Sequence, residues 1–149
     1  MKKFKFQLET LLKVTKMNRD QAQVKMAAAA KKLEEARQRL EVLLEEMAQG
    51  HKDYDAITSK GSIPLGPLMT YNSFFNWKRE QIEQQQRHII ECQAEKQRCM
   101  QELVKIMNKL KSIEQLKEKR FQQYMAELFF EEQKLLDEIG GQLYFRSMG

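Results

Sequence analysis

Two histidines, two cysteines and 21 carboxylates are the residues with which this 149-residue chain could do covalent, metal or acid-base chemistry. His51 and His88 lack a further His or Cys at metal-ligand spacing, and neither a Gly-rich phosphate loop nor a Gly-x-Ser-x-Gly elbow is present. Cys92 and Cys99 lie seven residues apart, hence about 10 Å along a helix, too far for a disulfide between them. Scattered carboxylates on a helical surface serve as solvating groups or as i,i+4 partners of Lys. The reading is therefore a non-enzyme with no catalytic residue, no metal site and no cofactor.

What remains is binding chemistry. Tyr71, Phe74, Phe75 and Trp77 crowd into seven residues. They either cover a turn or, where they stand off the packed face, offer a wet aromatic patch to a partner. Phe4 and Phe6 precede Leu8, Leu11 and Leu12, and either pack on Phe121 and Tyr124 or meet a partner directly. Charge is uneven as well. Residues 1–32 carry nine Lys or Arg against Glu9 and Asp20, and residues 96–120 carry eight against three acids. A basic end of that kind attracts an acidic surface.

The elements that position these groups are legible from a seven-residue repeat. One series reads Leu12, Arg19, Met26, Leu33, Leu40, Met47, Tyr54, and the interleaved series Leu8, Thr15, Ala22, Ala29, Ala36, Leu43, Gly50, Ile57. Spacings of four and three alternate, which is the stripe of a left-handed coiled coil. A second segment repeats the pattern with Phe75, Ile82, Ile89, Lys96, Leu103, Leu110 and with Gln85, Cys92, Cys99, Ile106, Ile113. The buried cysteines act there as small apolar filler. The repeat fails at Lys117 and resumes at Phe121, a four-residue stutter.

Between the segments, Gly61, Pro64, Gly66 and Pro67 break the helix, and Thr70 or Asn72 offers a cap to the next one. The spacing predicts an all-α fold: one long two-helix antiparallel coiled-coil hairpin forming a single domain over residues 1–149. Helix 1 covers about 4–57, the loop 58–69, helix 2 about 70–139 and a tail 140–149. The lengths, about 75 and 100 Å, leave the second helix overhanging the first, with Phe129, Phe130, Leu135 and Leu136 lacking a partner inside the hairpin. No run approaches the roughly 18 apolar residues of a membrane span, and the start lacks a secretory apolar stretch, so the expected location is cytoplasmic without direct membrane insertion.

The opening Phe4-Lys5-Phe6-Gln7-Leu8-Glu9-Thr10-Leu11-Leu12 resembles the start of the flagellar export protein FliJ family. Similarity continues at Tyr71-Asn72-Ser73-Phe74, at Glu118-Lys119-Arg120-Phe121 and at Leu136-Asp137-Glu138-Ile139. The resemblance implies an antiparallel coiled-coil stalk, similar in fold to the central stalk of rotary ATP synthases, set in the hexameric ring of the flagellar export ATPase (FliI). It implies further partners in the cytoplasmic part of the export-gate protein (FlhA) and in export chaperones, at the cytoplasmic face of the inner membrane at the flagellar base. Carried onto this chain, the ATPase-facing residues are Phe4, Phe6, Leu8, Leu11, Phe121, Tyr124, Leu128 and Phe129. The gate-facing residues are Leu43, Met47, Tyr71, Phe74 and Trp77.

An equivalent stalk of a virulence injectisome is the alternative in the same mechanical class. A basic coiled-coil binder of nucleic acid or of a membrane surface is the alternative in another. The basic stretches alternate with Glu and lack interleaved aromatics for base stacking, which argues against nucleic acid.

Overall fold

The computed structural model describes residues 3–61 and 64–148 and is all-α: α1 spans Glu9–Thr58 and α2 spans Leu65–Met148, packed against each other as a helical hairpin. Ser62 and Ile63, inside the expected loop, lie outside the described residues, as do Met1, Lys2 and Gly149.

The helix boundaries differ from the expected ones at the start of α1 and at both ends of α2, each with a physical reason, and agree at the end of α1. The chain from Phe4 to Leu8 is not yet helical; α1 begins at Glu9, whose amide donates to the Phe6 carbonyl at 3.1 Å and whose carboxylate suits the positive end of the helix dipole. The break after Thr58 is made by Gly61, which takes φ of +113°, a conformation that favours Gly at a helix end. Gly66 and Pro67 were expected to exclude helix, yet both lie in the first turn of α2. Pro is compatible with that turn because the first amides of a helix have no partner to lose. The cap expected from Thr70 or Asn72 is accordingly absent. Thr70 is already inside the helix and its Oγ1 donates to the Gly66 carbonyl at 3.1 Å. Finally, α2 continues through Gly140 and Gly141 to Met148 where a tail was expected. Glycine disfavours a helix by about 1 kcal/mol relative to Ala but does not remove a backbone donor as Pro does.

The chain divides into two units: Met1–Asp20 with Val104–Gly149, and Gln21–Leu103. In the first, Leu12, Leu110 and Ile113 form a buried cluster against which Phe6 packs. Thr15, on the seam of this unit, is buried with its hydroxyl donating to the Leu11 carbonyl at 2.7 Å. Lys117, where the apolar repeat fails, is half-buried and paired with Glu9 at 3.0 Å, so the break in the pattern is filled by an ion pair between the helices.

In the second unit Ala22, Ala29, Ala36, Cys92 and Cys99 are buried, small side chains that allow two helix backbones a close approach, and Leu33, Ala36 and Cys92 form one cluster with Ile89 beside it. Gln85, a polar seam residue, donates its Nε2 to the Ala36 carbonyl at 2.8 Å. Both cysteines are free thiols. Burial, and then the neighbouring Glu95 carboxylate, push the Cys99 thiol above its usual range.

Candidate partner-binding surfaces

In the second unit the loop end of the hairpin gathers the aromatic cluster. Phe75 points into the seam and is buried; His51 stacks on it with ring centroids 4.2 Å apart and 13° between planes. Tyr54 meets Tyr71 at 5.7 Å and Phe75 at 6.0 Å, both edge-on, so Tyr71 is half-covered by α1. Phe74 flanks the seam and its ring lies on Gly50. A methyl group at Gly50 would stand 2.5 Å from Phe74 Cε1, inside any allowed contact. Glycine is therefore required at position 50 for this placement of the ring.

Beside Phe74 lies a groove of about 510 Å³ lined by Glu46, Gly50, Asp53, Tyr71, Phe74 and Lys78 among others. Lys78 is 4% exposed, and its ammonium donates to Glu46 across the helices. The same ammonium stands 5.0 Å from the Trp77 ring centre and 5.7 Å from that of Phe74. Hydrogen bonding by Lys78 is the main reason the Glu46 carboxyl lies below its usual range. Trp77 is 54% exposed. An exposed indole beside a buried cation that itself lines an apolar groove is suited to anchor a partner.

Of the residues expected to face the gate, this surface brings together Tyr71, Phe74 and Trp77. Met47 is half-buried, whereas Leu43 is 2% exposed and is a seam residue, packed where an outside partner cannot touch it. Sequence reasoning missed Lys78, although it stands seven residues before Gln85 and so extends that seam series by one step. It also missed the pairing of His88 with Cys92, whose Nε2 and Sγ are 3.6 Å apart, although a spacing of four places two residues on one helix face. Among the described residues no three His, Cys, Asp or Glu gather in the manner of a metal site.

In the first unit, Phe4 packs edge-on against Phe121 at 5.3 Å and lies 5.6 Å from Tyr124. Phe4 thus packs on Phe121 and Tyr124, Phe6 packs instead on the Leu12 cluster, and Phe121 keeps 38% of its surface. Leu8 and Leu11 are both 37% exposed. A second groove, of about 330 Å³, has Phe6, Leu8 and Leu116 as apolar lining with Lys5 and Arg120 beside them.

Leu128 is the last half-buried residue of α2, and every residue from 129 to 148 is exposed. That overhang includes Phe129, Phe130, Leu135, Leu136, Ile139 and Leu143. A 20-residue helix whose apolar side chains are covered by nothing in its own unit is suited to meet a partner.

No described helix is long and apolar enough to cross a membrane. A family model described as flagellar FliJ protein matches residues 4–149. No curated protein and no solved structure matches the chain.

Proposed function

The chain belongs to the flagellar FliJ protein family, and on that premise we propose that it is the non-catalytic stalk of the flagellar type III export apparatus. The exposed overhang of α2 carries this reading, because it provides a helix long enough to enter a partner while the paired section below it holds it upright. The partner for this end is the hexameric export ATPase (FliI). Phe4, Phe6, Leu8, Leu11, Phe121 and Tyr124 form the base of the contact, and Leu128 and Phe129 begin the inserted part. Binding in the ring favours the hexamer over its subunits by mass action and thereby raises turnover, with no active site contributed by this chain.

The loop end faces the cytoplasmic part of the export-gate protein (FlhA). Phe74 and Trp77 are the anchors, Tyr71 and Met47 border them, and Leu43 supports α1 from inside the seam. Export chaperones are the third class of partner. The chain works in the cytoplasm, peripheral to the inner membrane at the flagellar base.

Paired surface variants test the assignment. Phe129→Ala with Leu135→Ala is expected to weaken binding to the ATPase and leave binding to the cytoplasmic gate fragment unchanged. Phe74→Ala with Trp77→Ala is expected to do the reverse, with helical content the same in both. Loss of both interactions in both variants, or of neither, contradicts the two-ended assignment.

A further inference from the structure

Within the first unit the overhang and the paired section below it are opposite in charge. Residues 125–148 carry five acids against Lys134 and Arg146, whereas residues 3–20 and 104–124 are strongly basic, with Lys5, Lys109 and Arg120 among eleven Lys and Arg against four acids.

The arrangement is finer than net charge. Leu128, Leu135, Leu136, Ile139 and Leu143 recur at helical spacing and make one apolar stripe, and Glu127, Glu131 and Glu138 recur along one flank of it. The second groove is lined by Phe6, Leu8 and Leu116 together with Lys5, Gln7 and Arg120, so its walls are part apolar and part basic. An apolar stripe with an acidic border and a groove of mixed apolar and basic lining are complementary surfaces on the same chain.

The overhang, residues 129–148, is about 30 Å long, enough to lie along residues 104–124 of another copy. A chain cannot fold its own overhang back onto that section without breaking α2, which is continuous through both. A second copy can supply it.

We propose that the free protein forms a two-fold dimer in which the overhang of each copy lies along the basic paired section of the other. Each copy then gives and receives the same contact, as a two-fold interface requires. Each half then packs the overhang of one copy against α2 and the non-helical Phe4–Leu8 segment of the other. The apolar stripe is covered twice over, and the two opposite charge sets meet. The proposal rests on no part of the export reading, and its test uses the purified chain alone.

The test is sedimentation equilibrium of the full chain from low to high micromolar concentration, at low and at moderate salt. A dimer that weakens as salt rises is expected, because the flanking ion pairs are exposed and screened. Two charge-reversed proteins separate this pairing from others. Glu131→Lys with Glu138→Lys makes the overhang basic, and Lys5→Glu with Arg120→Glu makes the groove acidic. Each alone is expected to weaken the dimer at least tenfold through like-charge contact. Mixing the two is expected to restore a dimer containing one copy of each, since every overhang then meets a groove of opposite sign. All four positions except Arg120 and Lys5 lie on the uncovered helix, and those two are exposed, so circular dichroism checks that folding is intact. A chain that stays monomeric throughout overturns the proposal. So does a dimer indifferent to both reversals, or one that mixing does not restore.

Discussion

Phe74 lies on the bare backbone of Gly50, in the space that any other residue at position 50 would fill. Two residues on different helices thereby set where the aromatic edge of the loop end stands. Gly50 is a seam residue, and it leaves a notch into which a ring beside the seam can turn.

The notch predicts non-additive stability. Gly50→Ala gains about 1 kcal/mol of helix propensity but crowds Phe74, a kind of overpacking that costs about 1–3 kcal/mol. The net expectation is a loss of up to about 2 kcal/mol. In a Phe74→Ala background the crowding is gone, and Gly50→Ala is then expected to stabilise by about 1 kcal/mol. A double-mutant cycle by urea unfolding reads this directly; equal effects of Gly50→Ala in both backgrounds contradict the contact.

Lys78 is buried, and Glu46 supplies its charge partner. Removing one partner of such a pair strands the other, whereas an apolar residue of similar length removes the need for it. Thermal midpoints are therefore expected to fall further for Glu46→Ala than for the double variant Glu46→Ala with Lys78→Met.

The same pair has a pH signature. The folded chain holds the Glu46 carboxyl below its ordinary value of 4.5, so the unfolded chain binds more protons between the two values. Stability from this group is present above about pH 4.5 and is lost as pH falls through the lowered folded value. The thermal midpoint of Glu46→Gln is expected to differ from that of the parent chain above pH 4.5 and to approach it below.

Cys99 is 8% exposed, with its thiol raised by burial and then by Glu95. Because the thiolate is the reactive form, alkylation at neutral pH is expected to be slow in the folded chain and to accelerate in denaturant. Alkylation of Cys99 at the rate of a free thiol under native conditions contradicts its place in the seam.

Leu12 is 2% exposed, in a cluster with Leu110 and Ile113. Leu12→Ala is expected to cost about 2–5 kcal/mol, with the denaturation midpoint shifted. The cost falls toward the lower end if the neighbouring Phe6 closes the space.

The hairpin was legible in the sequence because the physics that writes it is periodic. Leu12, Leu33, Leu43, Phe75, Leu110 and Ile113 all stand in the two interleaved series and all are buried. Even Lys117, which spoils the repeat, is explained by a partner one could name only with the register in hand, Glu9.

Boundaries were less legible. Gly66 and Pro67 carry strong breaker signals, but a breaker in a first turn costs little, and no local rule says whether a helix begins before or after it. Of the surface residues, Tyr71, Phe74 and Trp77 were readable from their crowding. Leu43 stands on the seam in the repeat and is buried there, so its place in the gate-facing set, which came from the resemblance, does not fit its burial. Lys78 escaped because a charged residue on an apolar seam reads as an interruption until its carboxylate, 32 positions earlier, is brought beside it.

The measurement nearest the central claim is ATP hydrolysis by the flagellar export ATPase, with and without this protein, followed together with the hexamer content of the ATPase by sizing chromatography. The account predicts that hexamer and turnover rise together as the protein is added. Turnover and assembly that stay unchanged across a wide range of concentration contradict it.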